Sequence, residues 1–143
     1  MADIARSCIS LRIFGTDLDP AILTTRLGCV PTAAARTGDT RTTPHGELRF
    51  IREGFWRLDS GEINGGELEV KAAALLSRLT SDLDVWREIA ERYRVDLFCG
   101  LFLETWNEGF ELSPRLLSML GERHIAIGFD IYPADADNQE GLT

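Results

Sequence analysis

The stretch LFCGLFLETWNEGFELSP, Leu97 to Pro114, decides the fold. Residues 95–104 read as one strand whose two sides are both apolar. Leu97, Cys99, Leu101 and Leu103 lie on one side, and Phe98, Gly100 and Phe102 on the other. Such a strand belongs in the middle of a sheet, with elements to both sides of it. Asn107 to Gly109 then has the composition of a turn. Ser113 and Pro114 open a helix that carries Leu116, Leu117 and Leu120 inside and stops at Gly121.

Working outward, Ile9, Leu11 and Ile13 alternate with Ser10, Arg12 and Phe14, a strand with one core face. Asp19 as N-cap, Pro20 in the first turn and Gly28 at the end bracket a short helix with Ile22, Leu23 and Leu27 as its buried stripe. Residues 29–47, CVPTAAARTGDTRTTPHGE, have no periodicity and read as a long functional or mobile loop. Strand segments follow at Glu47–Ile51 and Phe55–Leu58, interrupted at Gly54, and DSGEINGG is a turn. Leu68, Ala72, Leu75, Leu76 and Leu79 have helical spacing. Ser81 and Asp84 form a capping box for a further helix burying Trp86, Ile89, Ala90 and Tyr93. Ile125, Ile127, Phe129 and Ile131 alternate into a last strand that ends at Pro133.

The order β-α-β-α-α-β-α-β predicts an α+β two-layer sandwich. Its sheet is mixed or mainly antiparallel with about four to five strands, and the helices lie on one face. Residues 1–133 make a single domain, and 134–143 a flexible tail.

The segment LRIFGTDLDPAILTTRLGCVPTAAARTGD, the W-x-L at Trp56 and Leu58, FELSPRLLSML and the terminal FDIY together resemble the DUF4279 family over roughly residues 8–133. The resemblance implies a small stand-alone bacterial domain of uncharacterised function. It supplies no catalytic residues.

The 143-residue length suits one domain able to bury roughly 70% of its unfolded surface. A net charge of −8 argues against nucleic acid and anionic membrane as partners. No apolar run approaches a membrane span, and the N-terminus lacks the pattern of a secretory signal. Cys8, Cys29 and Cys99 form no CxxC pair, which fits a reducing cytoplasm. No motif asks for a cofactor or a metal. The tail DADNQEG spaces Asp135, Asp137 and Gln139 like a calcium loop, but its glycine is late and the closing glutamate is missing.

Three constellations invite function. Glu104, Glu108 and Glu111 around Trp106 have the residue types of a glycosidase pair, yet a charged turn cannot raise a carboxyl pKa by burial, so they read as a solvated turn. Arg36, Arg41, His45, Arg49, Arg52 and Arg57 form a basic island in an acidic chain, suited to bidentate anion contacts or to pairing with the acidic surface. His124 reads as structural. The most informative constellation is the sheet face away from the helices, where Phe98, Gly100 and Phe102 join Gly128, Asp130 and Tyr132, with Ser10, Arg12 and Phe14. It is too aromatic to face water bare. Its cover is loop 29–47, a second copy or protein partner, or a ligand held by Arg12 and Asp130 over Gly100 and Gly128.

The functional expectation is a cytoplasmic, non-enzymatic protein-interaction module of immunity or regulatory type, using that face or loop 29–47, as a homodimer or with another protein. The alternative is a small-molecule binder gripping an anionic or polar ligand with arginines of the 36–57 segment, Arg36 and Arg41 first. An enzyme ranks third.

Overall fold

Ser7, Ile9, Leu11 and Ile13 are buried while Cys8, Ser10, Arg12 and Phe14 are half-buried, and this two-residue period builds β1 (Arg6–Gly15). The computed structural model describes residues 6–60, 63–64, 68–106 and 109–133. After β1 come α1 (Pro20–Leu27), β2 (Ala33–Ala35), β3 (Thr40–Thr42), β4 (Leu48–Phe50), β5 (Gly54–Asp59) and β6 (Ile63–Asn64). The chain continues through α2 (Leu68–Ser77), α3 (Leu83–Arg92), β7 (Arg94–Phe102), α4 (Pro114–Glu122) and β8 (Ala126–Tyr132).

The main sheet runs β2-β5-β1-β7-β8, with β6 pairing the start of β1, and β3-β4 form a separate hairpin. β1 is antiparallel to both β5 and β7, whereas β7 and β8 are parallel and joined through α4. A parallel pair needs such a crossover, because a tight turn can only reverse the chain. The sheet is therefore mixed, and the fold is the α+β sandwich that the element order implies.

All four helices contribute to one core cluster. Leu23 and Leu27 from α1, Ala72, Leu75 and Leu76 from α2, Trp86 and Ile89 from α3, and Leu116 and Leu120 from α4 meet one side of the sheet. That side carries Ile9, Leu11, Ile13, Trp56, Leu58, Val95, Leu97, Cys99 and Leu101. Each fully buried leucine or isoleucine contributes roughly 1.5–3 kcal/mol by leaving water. The two buried indoles also satisfy their N–H groups: Trp56 Nε1 donates to Thr24 Oγ1 at 3.1 Å and Trp86 Nε1 to the Thr80 carbonyl at 2.8 Å. Lys71, the single lysine, is buried and donates from Nζ to Ser7 Oγ at 2.8 Å.

Several local expectations change. Residues 29–47 are not one loop, because Ala33–Ala35 join β5 and Thr40–Thr42 pair with β4. Short polar and alanine segments like these carry no hydrophobic period, so only their pairing partners define them. Ile63–Asn64 likewise adds a short strand within DSGEINGG. Ile22 is 57% exposed, since an eight-residue helix packed at one angle buries Leu23 and Leu27 only. Leu117 is 49% exposed for the same reason, and α4 passes Gly121 to end at Glu122. Asp82, not Ser81, caps α3 by accepting from the Asp84 N–H, and Ala90 and Tyr93 are half-buried. His124 lies in the turn before β8 with φ 57°, a left-handed conformation that histidine tolerates better than most residues. Pro20 with Asp19, Gly28 at φ 72° and Ser113 accepting from the Leu116 N–H stand where the sequence puts them. The 134–143 tail and its calcium-like spacing lie outside the described residues, as do Asn107 and Glu108 of the glutamate turn.

Candidate functional site

The far face of the sheet is set by strand alternation. With Trp56 and Leu58 turned to the helices, β5 presents Phe55, Arg57 and Asp59 on the other side. Opposite them in register stand Phe14, Arg12 and Ser10 of β1, and next to those Arg94, Asp96 and Phe98 of β7. Phe102 pairs with Tyr132, Gly100 with Asp130 and Phe98 with Gly128 across the parallel step to β8. No helix among the described residues contributes a core residue to this side.

Arginines and aromatic rings interleave across it. The Arg12 guanidinium lies 4.4 Å from the Phe98 ring centroid and 5.2 Å from that of Phe14, while Arg94 lies 4.8 Å from Phe14 on the same ring. Arg41, reaching in from the β3-β4 hairpin, lies 4.8 Å from the Phe55 centroid and donates to the Ala34 carbonyl at 3.3 Å. Each guanidinium is drawn to the negative face of a ring, worth roughly 0.5–1 kcal/mol where solvent reaches it. At the β8 end Phe102 and Tyr132 stack at 4.7 Å between centroids.

Carboxylates fix these arginines. Arg12 holds Asp96 through Nε and Nη2, both at 2.8 Å, a planar fork on a planar carboxylate. The hydrogen bond to Asp96 raises the Arg12 pKa above its ordinary value against a smaller opposing effect of burial, so the charge is permanent. Arg57 pairs with Asp59 at 3.0 Å, and Ser10 donates to the same Asp59 at 2.7 Å. Asp130 accepts from the Tyr132 hydroxyl at 2.7 Å, which pushes the phenol pKa up. Between β5, β1 and β7 this leaves a shallow hollow of about 390 Å³ lined by Phe14, Phe55, Phe98, Arg12, Arg57 and Asp59.

Of the residues singled out from sequence, Arg12, Phe98, Gly100, Phe102, Asp130 and Tyr132 do share one face. They do not form one pocket. Arg12 is opposite Asp96, four residues before the position level with Asp130, a separation of roughly 13 Å along the strands. Gly100 and Gly128 are not a crowded floor either, since a Cβ at Gly128 would meet nothing within 4 Å and one at Gly100 only ordinary contacts. The hollow sits on the β5 side instead. Arg41 reaches the face, whereas Arg36 turns to α1 and pairs with Asp19 at 2.9 Å. Arg57, one of the basic island, does reach this face, while Asp96, Asp59 and Phe55 were missed, although the alternation around Trp56 and Leu97 was enough to put all three on this side. Glu104 and Glu111 are exposed at the far end of β7, and Trp106 is exposed with them.

Burial, with a smaller push from Asp96, takes the Cys99 thiol up to about 12, so it is no nucleophile, and it faces the core. Among the described residues no group of three or more His, Cys, Asp or Glu side chains could hold a metal ion, and no helix is long and apolar enough to cross a membrane.

A family model for a domain of unknown function, DUF4279, matches residues 5–134. The chain belongs to the DUF4279 family. The match spans the whole sheet, from β1 to the end of β8, so the open face is part of the family domain rather than an addition to it. No curated protein and no solved structure matches the chain.

Proposed function

We propose that this DUF4279 domain is a non-enzymatic protein-interaction module of regulatory or immunity type, working in the cytoplasm through the open face of its sheet. The observation that supports it is the set of five rings, Phe14, Phe55, Phe98, Phe102 and Tyr132, on a side where the cover is arginine rather than helix. Aromatic and arginine side chains are the residues that dominate protein contacts, because each offers a large rigid surface at low entropic cost. The partner chemistry that fits is an apolar segment bearing carboxylates, able to lie on the rings and meet Arg12, Arg41 and Arg94.

Photoreactive p-benzoylphenylalanine in place of Phe98, expressed in the native host, tests this directly. A discrete adduct with a second protein, weakened by Arg12→Glu, supports the reading. Adducts no stronger than those from the same group at Arg87, exposed on α3, contradict it.

The hollow favours a second reading, a binder of a small anionic or polar ligand. Three rings and two arginines around about 390 Å³ match the size and composition of many ligand sites. The arginines concerned are Arg12 and Arg57, with Arg41 over the adjoining Phe55 ring, not Arg36. A thermal-shift screen of phosphates, carboxylates and sugars should then find stabilisation that Arg57→Met and Arg41→Ala abolish. A screen without a hit removes this reading.

A further inference from the structure

The two edges of the main sheet are unequal. At one edge β2 has three residues, and short edge strands resist pairing with other chains. At the other, β8 runs for seven residues, AIGFDIY, with no lysine, arginine or proline inside it. Phe129 is 37% exposed and Ile131 51% exposed, although their alternation marks them for the core side. Phe110 leans on Phe129, at 5.3 Å between centroids.

The backbone direction is equally specific. The Tyr132 carbonyl accepts from the Leu103 N–H at 3.1 Å, so the even-numbered residues of β8 turn their peptide groups to β7. Ile127, Phe129 and Ile131 therefore direct N–H and C=O outward, away from the sheet. Antiparallel strands exchange their bonds between directly opposed residues, and that requires outward groups on both.

We infer that β8 is a homodimer edge, pairing antiparallel with β8 of a second copy about a two-fold axis at Phe129. In this register Ile127 opposes the partner copy's Ile131 and Phe129 opposes its counterpart, and all three residues contribute outward peptide groups. The half-exposed apolar side chains then cover one another on the helix side. On the open side Asp130 opposes glycine, not a second carboxylate. Sliding by one pair toward the C-terminus sets Asp130 against Asp130, which like-charge repulsion disfavours. A second copy is the fitting occupant because in this register the strand is complementary to itself in hydrogen bonding, apolar side chains and charge. The axis stands perpendicular to the sheet, so both open faces emerge on the same side as one wide surface. The inference rests on the edge and stands whether or not the face binds a partner.

Analytical ultracentrifugation of the full chain tests it. The expected species is twice the 15.9 kDa chain mass, dissociating on dilution, because a single strand pair is a small interface. Added salt should tighten it, since two copies of net charge −8 repel. Ile131→Lys, at a half-exposed site, should weaken the dimer by about tenfold or more while leaving the unfolding midpoint near that of the parent. Amide exchange at Ile127, Phe129 and Ile131 should be slow in the dimer and fast in that variant. A chain that remains single up to millimolar concentration overturns the inference. A dimer indifferent to Ile131→Lys, or one with those three amides unprotected, also overturns it. Loss of the photo-adduct at Phe98 with the dimer intact would sink the proposed function alone.

Discussion

Removing Arg12 should reveal how far the open face is organised before anything binds it. Arg12→Met keeps most of the apolar stem and deletes the guanidinium, while Asp96→Ala deletes the other half of the fork. Exposed ion pairs are worth about 0.2–1 kcal/mol. This one has two hydrogen bonds of 2.8 Å and side chains only 31% and 19% exposed, which places its coupling at about 1–2 kcal/mol. The contacts with Phe98 and Phe14 add roughly 0.5–1 kcal/mol each. Arg12→Met should therefore cost about 2–4 kcal/mol, and Asp96→Ala less, because the guanidinium keeps its rings. Urea unfolding of the parent, both single variants and the double variant gives the coupling as the departure from additivity. A second cycle with Phe98→Ala should give about 0.5–1 kcal/mol. Additivity within about 0.3 kcal/mol in the first cycle would refute the claim that Asp96 holds Arg12 on the rings.

Other positions give independent checks. Gly54→Ala should destabilise by about 2 kcal/mol or more in urea, because its Cβ would meet the Gly15 carbonyl at 2.9 Å and the Ala35 carbonyl at 3.2 Å, backbone atoms that cannot step aside. Cys99, with its thiol at about 12 and no exposure, should resist aromatic disulfide reagents at mild pH until the chain unfolds, whereas half-buried Cys8 and Cys29 react first. Tyr132 should ionise above its ordinary value of 10.0, and Asp130→Asn should bring that value down in an ultraviolet titration. The sign follows from the raised folded-state pKa: the hydroxyl–carboxylate bond contributes fully below the unfolded value and is lost as pH rises through the folded one.

What the sequence could convey here was period and punctuation. Ile9–Leu11–Ile13 and Leu97–Cys99–Leu101 alternate so regularly that both strands and both their faces were legible, and Asp19–Pro20 and Ser113–Pro114 mark helix starts by local chemistry alone. Of the β3-β4 hairpin only β4 was legible, within the Glu47–Ile51 segment; β3 was not, because TRT has no buried side and exists through its pairing with β4. The candidate site failed at the same point. Alternation puts Arg12 and Asp130 on one face, but only the register of distant segments shows that Asp96 is the residue opposite Arg12. Arg36 and Arg41 sit five residues apart in one segment and end on different surfaces, since β2 and the hairpin turn them apart. Ile22 and Leu117 show the limit of helical spacing, which fixes a stripe but not its width.

The most direct measurement is the urea stability of Phe98→Ser combined with Phe102→Ser. Rings on a face left open by the fold, resting against an arginine and against Tyr132, should cost about 1–1.5 kcal/mol each with the slope of the transition unchanged. Rings packed into a covered interior would cost about 3–5 kcal/mol each, and that result would contradict an open face.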